Sequence, residues 1–322
     1  MARMTGLWYN IRPLGTIGSY LNHAMPEPKS EVEHWNETER RTGHGERIFW
    51  LQHPRVSMHY KRRLLVEGVF WQEWIPKTLG QPAETALELG CGQGLSLARL
   101  LRESTARNLV GVDLDESRFA AIRQQLGPDA ARARFVAADI NRIRLEESSY
   151  DLIYAIQSFH HLENLEHIFA EIHRALRPGG FCVLDEFVGP VRFQWTDTQL
   201  ALIRHILGIM PRHLRIYANG MEKNEEGRST VEEVIRFCPS EAIRSDEIVP
   251  LFYKTFDVVH HNQLGGTIQH LLYSGIIHNF PDNDPATDHL IDSIAALESA
   301  FIDHGVIPSD FALLIGRKPA NG

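Results

Sequence analysis

Between residues 85 and 187 short apolar runs alternate with amphipathic ones at a regular spacing. ALEL (86–89), NLVGVD (108–113), ARFVAAD (133–139), YDLIYAI (150–156) and FCVLDEF (181–187) are nearly continuous apolar stretches of four to seven residues. Runs this short predict strands buried on both faces of a sheet. Between them, GLSLARLL (94–101), ESRFAAIRQQL (116–126) and ENLEHIFAEIHRAL (163–176) place apolar residues three and four apart, the spacing of a helix face. Gly127-Pro128 closes the second of these helices and Arg177-Pro178-Gly179-Gly180 the third. Strand and helix alternating in this way imply right-handed crossovers and a parallel sheet covered on both sides.

Outside this stretch the pattern loosens. Residues 1–57 are rich in His, Arg, Trp and turn formers, with little periodicity. An amphipathic helix is predicted over about 58–79, with Leu65, Val69, Trp71 and Trp74 on or near one face. After 187, Thr196-Asp197-Thr198-Gln199 is a capping box that opens a helix to about 209, ended by Pro211. Polar loops and short helices fill 218–250. FDVVHHNQ (256–263) predicts a sixth strand, 267–279 and 285–304 two helices with Gly305 as a stop, and DFALLIGRK (310–318) a seventh strand. The chain thus divides into an N-terminal extension (1–80), a core (81–187), a helical insertion (188–255) and a segment completing the sheet (256–322) with its own insertion at 264–305.

Composition narrows the class. The chain has 322 residues, 43% hydrophobic and 23% charged, as expected of a soluble globular protein. Its formal net charge of -8 argues against a nucleic-acid partner, which would call for a cationic footprint. Cys91, Cys182 and Cys238 lie far apart and give neither a disulfide framework nor a CxxC metal motif. No apolar run approaches the roughly 18 residues of a membrane span, and MARMTGLWYNIRPLG lacks the apolar core of a secretion signal. A cytoplasmic protein without a membrane partner is the expectation.

The chemistry begins at LELGCGQG (87–94), an apolar run that ends in three glycines within five positions. In open α/β sheets ligands bind at the carboxyl ends of strands, and the first strand-to-helix turn is the usual nucleotide cradle. A dinucleotide site uses G-x-G-x-x-G. Here the spacing is G-x-G-x-G, and Leu95 stands where the third glycine of that motif belongs. Glu88 just before the turn would repel a diphosphate and attract an ammonium or sulfonium group. Asp113, ending the second strand some 20 residues on, suits ribose hydroxyls, and Asp139, after the third, suits an adenine amino group.

The ordered set E-L-G-C-G-Q-G, V-G-V-D, A-A-D-I, YDLIYAIQSFHHL and RPGGFCVLDE resembles the class I S-adenosylmethionine-dependent methyltransferases, most of all those acting on small molecules. The resemblance covers about 85–187 by motif and 256–318 by strand pattern only. It implies an α/β, doubly wound, mostly parallel seven-stranded Rossmann-like sheet with an antiparallel last strand, and helical insertions acting as a lid. It also implies S-adenosylmethionine as cofactor. Gly90, Gly92 and Gly94 would admit it to the backbone, Glu88 would orient its amino-acid part, Asp113 with Leu114 would take the ribose, Asp139 and Ile140 would flank the adenine, and Gln157 would lie at the methionine end. Each glycine could also serve only a tight turn, and Asp139 a local cap.

Methyl transfer is a direct displacement, so positioning dominates, with a base needed where the acceptor gives up a proton. His160 and His161 after the fourth strand and Glu186 at the end of the fifth are the candidate catalytic residues, with Asp185 beside it and His260 and His261 ending the sixth strand. The pair His160-His161 could equally bond backbone. No metal is expected: the 17 histidines show no ligand spacing, and Gln157-Ser158 stand where magnesium-dependent relatives carry an acid. Both insertions leave from the cofactor edge and would roof a small enclosed acceptor. Trp8, Tyr9, Trp35, Arg40, Arg41, Trp50 and Tyr60 would contribute to that roof, as would Arg192, Phe193 and Trp195, with Arg192 suited to an acid group of the acceptor. The same residues would serve equally well to glue the lid to the core. The helices of 267–304 would serve as lid or as the contact of a homodimer. The competing readings are a non-catalytic scaffold that binds the same cofactor, methylation of a macromolecule, and an NAD-dependent oxidoreductase.

Overall fold

The computed structural model describes residues 49–320. Trp8, Tyr9, Trp35, Arg40 and Arg41, with most of the N-terminal extension assigned to the roof, lie outside the described residues.

The described chain opens with helix α1 (Pro54–Arg63), a short hairpin of β1 (Leu65–Val66) and β2 (Val69–Phe70), and helix α2 (Trp71–Leu79). The single helix expected over 58–79 is therefore two, split by that hairpin. The reason is local: Glu67 and Gly68 both take the left-handed conformation (φ 49° and 85°), as a two-residue hairpin turn demands. The helical spacing of the flanking apolar residues concealed it.

The main body alternates as expected: β3 (Ala83–Leu89), α3 (Leu95–Arg102), β4 (Ala106–Asp113), α4 (Phe119–Leu126), β5 (Ala133–Ala137), β6 (Tyr150–Ile156), α5 (Leu165–Ala175) and β7 (Leu176–Phe187). Strand β7 starts earlier than FCVLDEF, because Leu176 pairs with Tyr150 and Phe181 with Leu152. The Arg177–Gly180 turn thus bulges out of a continuing strand. Helices α6 (Asp197–Ile209), α7 (Val231–Phe237) and α8 (Ile248–Thr255) follow, then β8 (Asp257–Gly265), α9 (Gln269–Tyr273), α10 (Pro285–Asp303) and β9 (Phe311–Arg317). The capping box at the start of α6 is formed: Gln199 N–H donates to Thr196 Oγ1 at 3.2 Å and Thr196 N–H to Gln199 Oε1 at 2.8 Å.

The seven-stranded sheet runs in the order β5-β4-β3-β6-β7-β9-β8. All pairs from β5 to β7 are parallel, and β9, the last strand, is antiparallel to both β7 and β8. Alternate strand residues feed opposite covers. Leu87, Leu89, Ile153 and Leu184 pack under α5 and α8, whereas Ala86, Tyr154 and Val183 pack under α1 to α4 and the insertions. The chain leaves β3 outward to β4 and β5, then returns to β6 on the other side of β3. The switch point of the sheet therefore lies between the carboxyl ends of β3 and β6, where such folds bind ligands. No helix among the described residues is long and apolar enough to cross a membrane.

The two insertions are tied to each other by Lys223. Its ammonium is fully buried and donates to the carbonyls of Leu271 and Ser274 at 2.7 and 3.0 Å, with Glu226 at 2.6 Å.

Candidate active site

Strand β3 stops because its next residues cannot extend it. Gly90, Gly92 and Gly94 all take left-handed backbone (φ 79°, 51° and 71°), which side chains resist. The turn folds against the end of β4: the N–H groups of Gly90 and Cys91 both donate to Val112 O, at 2.8 and 2.9 Å. Asp113 completes the tie. Its Oδ2 accepts Gly92 N–H at 2.7 Å and its Oδ1 accepts Asp115 N–H at 3.0 Å. One carboxylate thus fixes the glycine turn of β3 and the turn after β4 together. At Gly94 the constraint is also steric: an added Cβ would stand 2.4 Å from Ile122 Cγ2 in α4.

The other expected cofactor residues line the same edge. Leu114 is 54% exposed just beyond Asp113, as an apolar shelf for a nucleoside would be. Glu88 is buried and accepts Tyr154 O–H at 3.0 Å. Burial and this carboxylate push the Tyr154 phenol well above its ordinary value. Asp139 shows the local capping role: its Oδ1 accepts Asn141 N–H at 2.9 Å, and Oδ2 lies 3.7 Å from Arg142 Nε. Ile140 beside it is buried. Gln157, first after β6, is buried in a left-handed conformation (φ 52°), and both its N–H and its Nε2 donate to Asp185 O. A non-glycine residue held this way is backbone strain of the kind that collects at functional sites.

The donor set suits a ribose and a positively charged group, and does not suit a diphosphate. Acids Glu88 and Asp113 flank the turn, and no Lys or Arg stands between residues 87 and 94.

Of the catalytic candidates, Glu186 is already fully engaged. Its Oε2 accepts the N–H groups of Ser158 and Phe159 at 2.8 and 2.6 Å, and its Oε1 accepts Phe187 N–H at 2.8 Å and meets His160 Nδ1 at 2.5 Å. It anchors the turn after β6, with four groups meeting its two oxygens. His160 and His161 are both buried, with ring centroids 4.1 Å apart. Glu241, from the first insertion, comes to 3.5 Å from His160 Nε2, and His161 Nδ1 lies 3.2 Å from Ser240 Oγ. One ligand-capable atom from each of His160, His161 and Glu241 lies within 4.8 Å of the others.

On the opposite face of β7, Asp185 is fully buried and accepts Tyr60 O–H at 3.0 Å. Burial first, and the nearby Glu186 charge with it, raise its carboxyl to about 7, against the pull of Tyr60 and Gln157. Beyond it the rings of Trp50, Tyr60, Phe187, Trp195, His270 and Phe311 touch one another edge to face or tilted, with centroids 5.4–6.0 Å apart.

Two expectations are corrected here. Arg192 does not present its guanidinium to an acceptor: Nη1 donates to the carbonyls of Pro239 and Glu241, and so closes the insertion on itself. His260 and His261 sit in the middle of β8, which runs on to Gly265, so neither stands at the carboxyl end of its strand. His260 packs edge-on against Trp74, and His261 Nδ1 pairs with Tyr253 Oη at 3.0 Å. Phe193 and Trp195 stack at 5.2 Å and are buried, gluing insertion to core. Conversely, Glu241 joins the site without a signal in the sequence, since it lies 80 residues or more from His160 and His161; Tyr60, expected in the roof, reaches Asp185 across 125 residues.

Residues 87–184 match the family model described as a methyltransferase domain. The chain is 30% identical over 146 residues to a sterol 24-C-methyltransferase of Schizosaccharomyces pombe, covering 43% of this chain and 38% of that protein. It is 30% identical over 122 residues to 24-methylenesterol C-methyltransferase 2 of Arabidopsis thaliana, covering 37% and 33%. The chain therefore spans well under half the length of these curated relatives. Among solved structures, a geranyl diphosphate methyltransferase in complex with GPP and sinefungin is 14% identical with a TM-score of 0.47, covering 77% of each chain.

Proposed function

We propose that this protein, whose residues 87–184 match a methyltransferase domain, is a class I S-adenosylmethionine-dependent enzyme that moves a methyl group from that cofactor to an apolar small molecule of the lipid class. The observation that carries the reading is the join at the switch point: three left-handed glycines after β3, fastened through Gly92 N–H to the Asp113 carboxylate at the end of β4. When bound, S-adenosylmethionine supplies an electrophilic methyl on a sulfonium.

The chain's own residues do the rest. Asp113, at the carboxyl end of β4 beside the glycine turn, takes the ribose hydroxyls, and Leu114 and Ile140 offer apolar surface to the base. Asp139 stands by the adenine from its own capped turn, Glu88 offers negative charge to the amino-acid end, and Gln157 bounds the methionine end. The aromatic rings beyond β7 and β9 support an apolar acceptor, and the sterol-methylating relatives support it further. Asp185, held near neutrality by burial and reached by Tyr60 O–H, is the proton acceptor where the acceptor must lose a proton, because a base is most effective with its pKa near the working pH. Glu186 and His160 position the turn after β6.

Titration calorimetry with S-adenosylhomocysteine tests the cofactor site. Asp113→Asn keeps an acceptor oxygen for the Gly92 N–H but loses the charge, and a hydrogen bond to a charged group contributes about 1.5–3 kcal/mol, so affinity should fall about 10- to 100-fold. Unchanged affinity would remove the ribose assignment. Incubation with a labelled methyl donor and separated lipid and polar extracts tests the acceptor. Label in the polar fraction alone would refute the lipid class, and no label in either would favour a non-catalytic cofactor-binding scaffold.

A further inference from the structure

The turn after β6 and the insertion that follows β7 meet at a cluster that methyl transfer does not require. His160 Nδ1 is 2.5 Å from Glu186 Oε1, and in the neutral ring with its proton on Nδ1 the Nε2 lone pair is a ligand atom. That lone pair faces a second acceptor, Glu241 Oε1, at 3.5 Å. A proton or a metal cation between these two atoms would join them. His161, the adjacent imidazole in the same turn, brings a third ligand atom, and the three lie within 4.8 Å of one another.

We propose that His160, His161 and Glu241 form a binding site for a divalent transition metal of the zinc class.

The geometry fits such an ion. Zinc bonds of about 2.0–2.2 Å place tetrahedral neighbours about 3.3–3.6 Å apart, the separation of His160 Nε2 from Glu241 Oε1. The ligand atom of His161 lies within 4.8 Å of the other two. Two imidazoles and a carboxylate are a donor set suited to zinc and its first-row neighbours, and unsuited to magnesium or calcium. The surroundings are those of a prepared site. A metal-bound histidine typically gives its other N–H to a carboxylate, which fixes its tautomer and orientation. Glu186 does this for His160, and is itself immobilised by three backbone N–H donors. Ser240 Oγ stands in the same relation to His161 at 3.2 Å. Glu241 is held in place on both sides: Ile243 N–H donates to His160 O at 3.1 Å, and Arg192 N–H donates to Ala242 O at 2.8 Å. Ala242 and Arg192 both adopt left-handed backbone (φ 47° and 51°), strain that a fixed carboxylate position would justify. Three protein ligands leave a coordination position open. The site stands on these residues whether or not methyl transfer is observed.

The test is metal analysis of the full chain, purified without metal-affinity steps, followed by Co2+ substitution read by visible absorption. The expected result is stoichiometric zinc, a Co2+ spectrum of low-coordinate type, and loss of both in His161→Ala and Glu241→Gln, each with at least about tenfold weaker uptake. Should either variant fail to fold by circular dichroism, the wild-type protein still decides the matter, since a chelator should then lower its melting temperature. A protein that takes up neither zinc nor Co2+ at stoichiometric concentration, or a folded Glu241→Gln that binds as wild type, would overturn the proposal and leave a proton on His160 as the bridging cation.

Discussion

Gly94 offers the sharpest test of how the turn after β3 is built. Replacing it with alanine has two separable costs. The backbone sits at φ 71° and ψ 16°, and left-handed backbone costs a residue with a side chain about 1–2 kcal/mol. The new Cβ would also stand 2.4, 3.1 and 3.3 Å from Ile122 Cγ2, Cγ1 and Cβ. Because Ile122 Cβ is itself among the crowded atoms, turning the side chain does not clear the clash and α4 must move, an overpacking cost of about 1–3 kcal/mol. Together Gly94→Ala should lose about 2–5 kcal/mol. Ile122→Ala removes Cγ1 and Cγ2 and, as a truncation in the core, should cost about 2–5 kcal/mol by itself. The double variant should recover the overpacking part, so its loss falls short of the sum of the singles by about 1–3 kcal/mol, while the backbone part persists. Urea unfolding of all four proteins, followed by circular dichroism, measures the cycle. Additivity within about 0.5 kcal/mol would refute the reasoning, since it would show that the two sites do not meet.

Asp185 makes a prediction about pH. Its folded value of about 7 against an ordinary 3.8 means the folded protein holds that proton more tightly than the unfolded chain. The stability it confers is present below about pH 4 and is lost as pH rises to about 7, roughly 4 kcal/mol at 1.36 kcal/mol per unit. Asp185→Asn should therefore be more stable than wild type at pH 8 and close to it at pH 4.5 in denaturant titrations; a gap independent of pH would contradict this. The same variant should keep affinity for S-adenosylhomocysteine and lose turnover, and retained turnover would remove Asp185 as proton acceptor. Lys223→Met leaves Glu226 buried without its ammonium and should cost about 3–5 kcal/mol, read as a lowered melting temperature, with Lys223→Met/Glu226→Gln recovering part. A melt unchanged in Lys223→Met would show that the insertions do not depend on this tie.

Much of the core was legible because its signals are local. A buried parallel strand needs a continuous apolar run, its crossover helix needs a 3.6-residue stripe, and the turn between them needs residues that tolerate left-handed backbone. Gly90, Gly92 and Gly94 and the capping box at Thr196 could be read in this way. The hairpin at Glu67-Gly68 was masked, because apolar residues of two short strands and two helices fell on a helical spacing. The hydrogen bonds of Glu186 were hidden for a different reason. Its carboxylate is an anchor only because Ser158 and Phe159 return their N–H groups to it from the neighbouring strand's end.

The sequence by itself determined the alternation of strand and helix, the glycine turn, and the acids that favour a positively charged nucleoside over a diphosphate. Each of these follows from residues close together along the chain. Only the tertiary structure decided that Asp185 meets Tyr60 across the sheet, that Arg192 bonds its own insertion, and that Glu241 stands against His160 and His161. Such pairings depend on how insertions of many residues fold back over the sheet edge. No local propensity encodes that path, because it is set by burial of distant apolar surface.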